Sequence, residues 1–271
     1  MVKKAVETPF GKEGFDRILR QADEFWWAPE IARRKAMGTL ADNFAILMAQ
    51  ALFCSDGSVV VRFNEEVRGI ANVRASRPIE KGDQVYRTDL DGLESFDLLE
   101  EDLDCGHFTM IKVTSGWFVT FNFLRSRSLC ASLLDSAKEF LDVVRFSIEK
   151  GKLRPAVDNL YSACELVSKA QLIMSSMLDR NSKSHRAIRG KINKWRKLGN
   201  INERFVTLFN ELGDLRPSYR YEGASTNPAV LSQKEISLVE DEIARLEDMC
   251  LQLGPGESEQ AEATGRLRQK Y

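Results

Sequence analysis

Residues 132–174 read SLLDSAKEFLDVVRFSIEKGKLRPAVDNLYSACELVSKAQLIM. Leu133, Leu134, Ala137, Phe140, Leu141, Val144 and Ile148 recur at steps of three and four, the stripe of an amphipathic helix. The pair Gly151–Lys152 ends it. Val157, Leu160, Tyr161, Cys164, Val167, Met174 and Met177 then form a second stripe. The link between the two is short, so the spacing predicts an antiparallel helix pair.

Outward from this pair the same period continues. Ala187, Ile188, Ile192, Trp195 and Leu198 make a third stripe, closed by Gly199, and Ser184 stands where an N-cap belongs. Phe205, Leu208, Phe209 and Leu212 make a fourth. Ile236, Val239, Ile243, Leu246, Met249 and Leu253 make a fifth. We expect an all-α antiparallel bundle over 127–253. Residues 254–271, GPGESEQAEATGRLRQKY, have almost no apolar content and are expected to form a disordered tail.

The front of the chain reads differently. In residues 23–53 the apolar side chains Ile31, Met37, Leu40, Phe44, Leu47, Met48 and Leu52 fit helical spacing, with Trp26, Trp27 and Pro29 as a core anchor at the helix start. CSDG at 54–57 is a turn signal. SVVVRF (58–63) reads as a strand, and RPIEKGDQVY (77–86) as a loop leading into another short one. FTMIKV (108–113) and WFVTFNF (117–123), separated by TSG, spell a hairpin that turns at Gly116. His107 reads as a strand-entry residue. The expected fold class is therefore α+β: a small mixed domain over 1–126, of unknown role, followed by the bundle.

Composition removes several classes of function. The 271 residues carry a net charge of -1, so the whole molecule exerts no long-range pull on nucleic acid. There is no signal-peptide pattern at the start and no apolar run of membrane-spanning length. The five cysteines lack a CxxC pair, which suggests reduced thiols and a cytoplasmic location. With only two histidines, a multi-histidine metal cage is ruled out. GxGxxG, GxxxxGK[ST] and GxSxG are all absent. No cofactor or metal is expected.

Charge is distributed in blocks. Residues 180–197, RNSKSHRAIRGKINKWRK, hold eight Lys or Arg and no acid. If the stripe ending in Trp195 faces the bundle, the cations face water and form a phosphate-binding surface. The mirror image is 88–106, TDLDGLESFDLLEEDLDCG, with eight acids and no cation. Its interleaved leucines suit a solvated helix, one able to dock on the basic helix and compete with polyanions there. It lacks the acidic loop pattern of a calcium site.

Three segments carry a family resemblance: AVDNLYSACELVSKA (156–170), SHRAIRGKINKW (184–195) and ERFVTLFNELGDLRPSYRY (203–221), followed by a last amphipathic helix. In this order residues 129–253 resemble the HEPN domains, the higher-eukaryote and prokaryote nucleotide-binding helical bundles. The resemblance implies a bundle that dimerises through its helices, in toxin–antitoxin, antiviral defence or RNA-processing settings. It covers both metal-independent ribonucleases and catalytically dead binding members. The nucleases of the family use Arg-x4-His. Arginine holds a phosphate by charge-assisted hydrogen bonds, and histidine moves protons near neutral pH.

RNSKSH supplies those letters as Arg180 and His185. However, the resemblance places the motif after a helix like ERFVTLFNEL, where this chain has LRPSYRY. There Arg216 takes the arginine position and Tyr221 stands where the histidine belongs. We therefore expect a non-catalytic module that binds RNA or an acidic protein through Arg186, Arg189, Lys191, Lys194, Arg196 and Lys197, with Arg216 and Tyr221 beside them. The competing reading is a metal-independent endoribonuclease using Arg180 and His185, or a variant site at Arg216 and Tyr221. A third is a structural subunit whose opposite charge blocks pair. Glu165 and Lys169, four apart, read as a surface ion pair.

Overall fold

The computed structural model describes residues 11–113, 116–182, 184–223 and 226–251. The stretch 254–271 and the first two residues of the TSG turn lie outside them. Helices and antiparallel sheets are both present, an α+β chain.

The first helical run is continuous: α1 (Gly11–Ala22), a π-helical turn (Asp23–Trp27) and α2 (Ala28–Ala36). Trp26 and Trp27 thus sit inside the run rather than at a helix start. Strands β1 (Met48–Phe53) and β2 (Val59–Phe63) form a hairpin. Its turn is fixed by Cys54 N–H donating to Ser58 O at 2.9 Å and by Gly57 at φ +92°. Strands β5 (Gly106–Val113) and β6 (Gly116–Asn122) form the hairpin expected around Gly116. The four pair in the order β2-β1-β5-β6, all antiparallel, while β3 (Ile70–Ala75) and β4 (Leu90–Asp97) make a separate two-stranded sheet.

Three expectations fail here, the first two for related reasons. Residues 48–52 are strand, not helix. Strand β1 is covered on both faces: Ala49 and Ala51 pack with Trp27, Phe63 and Phe108 beneath the first helical run. Leu52, on the other face, packs with Phe96, Leu98, Ile111 and Val113. A strand buried on both faces is a continuous apolar run, which a helical template fits equally well.

The acidic stretch is likewise strand β4 plus a short 3-10 turn (Glu100–Asp102), not a helix. In its pairing with β3, the register steps from Ser95 to Leu93 and from Gly92 to Leu90 against consecutive partners. Each skipped residue is a bulge. Two bulges turn a period of two into apolar residues at 90, 93 and 96, a spacing that imitates a helix. The loop 77–86 also leads into a 3-10 turn (Arg87–Asp89) instead of a short strand.

The remaining helices are α3 (Arg127–Glu149), α4 (Leu153–Met174), α5 (His185–Lys197), α6 (Glu203–Tyr221) and α7 (Gln233–Leu251). The five stripes face one apolar cluster, with Leu134, Leu141, Leu160, Val167, Ile192, Phe205, Phe209, Val239 and Leu246 at its centre, while Leu253 of the fifth lies outside the described residues. Gly151, at φ +66°, takes the left-handed conformation that stops α3 and turns the chain into α4. Leu198 is an exception to its stripe and is exposed, because α5 has ended one residue earlier.

Candidate nucleic-acid interface

Helix α5 starts as its sequence requires: Ser184 Oγ accepts from Ala187 N–H at 3.2 Å. Ile188 and Ile192 are buried and Trp195 packs against the same core, so the opposite face meets water. Arg186, Lys194 and Lys197 lie within about 80° of one another around that helix. Among the described residues no acid pairs with Arg186, Lys194, Arg196 or Lys197. The other two cations of the helix are engaged. Arg189 donates to Asp214 Oδ1 at 2.7 Å and to Asn210 Oδ1 at 2.9 Å, and Lys191 donates to Met177 O at 2.5 Å.

The acidic block does not lie on this helix. Asp89 pairs with Arg77, Glu94 with Arg74, Glu101 with Arg68 and Asp102 with Arg62, all within the front part. The docking of 88–106 on the basic helix is thus not the arrangement within one chain. The acids have nearer arginines, supplied by β2, β3 and the loops beside them.

Arg180 and His185 do not converge. Arg180 Nη1 donates to Ser55 Oγ at 3.1 Å, in the β1–β2 turn. His185 Nδ1 instead meets Glu165 Oε1 of α4, with the imidazole 66% exposed and the carboxylate only 14% exposed. The surface pair expected between Glu165 and Lys169 is replaced by this contact, since Glu165 is turned into the groove between α4 and α5. An exposed pair four residues apart offers only about 0.2–0.5 kcal/mol to oppose that.

Arg216 and Tyr221 do not converge either. Five residues at about 100° each put them some 140° apart around α6. Tyr221 is 78% exposed, and its ring contact is Arg220, not Arg216. Arg216 stacks its guanidinium over the Tyr161 ring at 4.6 Å and donates to Asp158 Oδ1 at 2.5 Å. It does not pair with its neighbour Asp214, which Arg189 holds.

What the structure does assemble is a cluster on one face of α4. Asp158, Tyr161 and Glu165 are spaced three and four apart, so they share a face. Tyr161 Oη donates to Glu165 Oε1 at 3.3 Å, the same oxygen that meets His185. Burial first, and then the Glu165 charge, push the Tyr161 phenol up to about 12, so it stays a neutral donor. His185 and Arg216, read in the sequence as parts of alternative sites, thus flank one tyrosine–glutamate pair.

Gly213 faces the same cluster: a Cβ there would lie 3.1 Å from Arg189 Nη1 and 3.4 Å from the Tyr161 ring. Pro217, four residues on, cannot donate to the Gly213 carbonyl. Helix α6 nevertheless runs through it, held by buried Leu212 before and buried Tyr219 after. Asp158, Tyr161, Glu165, Asn210 and Asp214 were missed as site residues. The available signal was that the two acids of α4 bracket its one tyrosine at steps of three and four.

Among the described residues no group of three or more His, Cys, Asp or Glu side chains is placed to hold a metal ion. Nor is any helix among them long and apolar enough to cross a membrane. The chain matches no protein-family model and no curated protein.

Proposed function

We propose that the chain is a HEPN-like binding module, with α3–α7 as the all-α antiparallel bundle and the outer face of α5 as a surface for RNA or an acidic partner. The observation that carries this reading is the row of unneutralised cations, Arg186, Lys194 and Lys197, on a helix whose other face is buried. Asp89, Glu94, Glu101 and Asp102 are already paired with front-part arginines. That argues against the reading in which the two charge blocks exist to neutralise each other. In keeping with the resemblance, the module acts as a homodimer in a prokaryotic defence, toxin–antitoxin or RNA-associated role.

The test is a salt series of binding to a single-stranded RNA oligomer. Each phosphate neutralised contributes about 0.7 to the slope of log affinity against log salt for single strands. The triple variant Arg186→Glu, Lys194→Glu, Lys197→Glu should flatten that slope by about 2 and weaken binding by at least ~100-fold near physiological salt. Binding that ignores both salt and the triple reversal would remove the proposal.

A second reading, a metal-independent ribonuclease, is favoured by the His185–Glu165 contact. A carboxylate that orients an imidazole, with Arg216 stacked on the tyrosine that shares that carboxylate, suits general acid–base attack by a ribose 2′-hydroxyl. RNA cleavage in the presence of chelator, lost in His185→Ala and in Arg216→Ala, would establish it. Intact RNA leaves the binding module.

A further inference from the structure

We propose that Cys54 and Cys105 are an oxidisable dithiol site that closes to an intrachain disulfide. Strands β1 and β5 run antiparallel with Phe53 opposite Gly106, and the next step of that register sets Cys54 opposite Cys105. Facing residues of antiparallel strands have Cα atoms about 4.5 or 5.5 Å apart, and both values fall within the span a disulfide bridges. The two sulfurs are 3.6 Å apart, with Cys105 Sγ donating to Cys54 Sγ. Rotation of the side chains is enough to bring them to the bonding distance of about 2.05 Å.

The backbones around them are already held. Cys54 N–H donates to Ser58 O, Cys54 O accepts from Arg125 Nη1 at 3.1 Å, and Cys105 N–H donates to Asp102 O at 2.8 Å. Both thiols are partly accessible, whereas Cys130 and Cys164 are buried. Burial, and then the bond to Cys54, push the Cys105 thiol up to about 12. In the contact between them Cys105 Sγ donates and Cys54 Sγ accepts, so Cys54 is the sulfur that attacks first.

The oxidant is a hydroperoxide. The Cys54 sulfur attacks one peroxide oxygen, the O–O bond breaks, and one water leaves, giving a sulfenic acid. The Cys105 sulfur then attacks the Cys54 sulfur, the S–O bond breaks, and the Cys105 proton departs with the second water. Two thiols and one hydrogen peroxide become one disulfide and two waters. The bond fixes the turn on which Arg180, at the approach to α5, rests through Ser55.

The full chain, freed of reductant and treated with a small excess of hydrogen peroxide, should lose two of its five thiols. Its mass should fall by about 2 Da, with a peptide linking Cys54 to Cys105. Cys54→Ser and Cys105→Ser should each abolish the link, and Cys130→Ser should keep it. Cys54→Ala, checked for folding by circular dichroism, separates loss of the thiol from loss of the fold. Five thiols surviving peroxide, a link to any other cysteine such as Cys250, or sulfinic acid without a link would each overturn the assignment.

Discussion

Replacing Phe209 with alanine is expected to cost about 3–5 kcal/mol, the range for emptying a phenylalanine site in a packed core. The ring is fully buried between α4 and α6, with its centroid 5.3 Å from that of Tyr161. Its removal therefore does two things. It opens a cavity at the centre of the helical core, and it withdraws support from Tyr161, which both Arg216 and Glu165 touch. Urea unfolding should show a lower midpoint at unchanged slope. Phe146→Ala, on the exposed side of α3, should stay within about 0.5 kcal/mol. A loss below 1 kcal/mol for Phe209→Ala would mean that this core is not packed as described.

The second large effect is on pH. His107 is buried in β5, with Nδ1 2.9 Å from Thr109 Oγ1. Burial, and then the nearby Arg127 charge, pull its pKa down from 6.5 to about 4. The unfolded chain therefore binds a proton that the folded chain refuses between those two values, and stability there rises with pH. Above about 6.5 there is no penalty. As pH falls from about 6.5 to about 4 the penalty grows, reaching on the order of 3 kcal/mol before levelling off. Unfolding measured at pH 7.5, 5.5 and 4.5 should show this slope in the wild type. In His107→Gln it should be largely gone, leaving only the carboxylate titration common to both proteins. Parallel pH profiles for the two would refute the assignment.

The helical part was readable because each of its helices buries one face and wets the other, so the stripes at Leu134, Leu160, Ile188, Phe205 and Val239 carry the period directly. The front part hid its strands in two ways. Strand β1 has no wet face, so Met48 to Leu52 show no alternation. Strand β4 is bulged at Asp91 and Glu94, so its alternation is broken into threes.

The candidate site was half legible. The basic character of α5 and its Ser184 cap could be read off the residues. The partners of its charged groups could not, because RNSKSH is a local word and the contacts are distant. Arg180 reaches back to Ser55, and His185 reaches across to Glu165. Only the packing of α4 against α5 and α6 decides which arginine meets the tyrosine that shares Glu165 with that histidine.

The chain leaves the four-stranded sheet at Phe63 and re-enters it at Gly106, so residues 64–105 are an insertion between sheet strands. In topology the insertion is modular: the order β2-β1-β5-β6 would close without it. In energy it is not, because Phe96 and Leu98 cover Leu52, Ile111 and Val113 on one side of that sheet. Excising it would leave an apolar sheet face open to other chains, the condition that leads to aggregation. The stretch with the most acids in this protein is thus also the cover over an apolar sheet face.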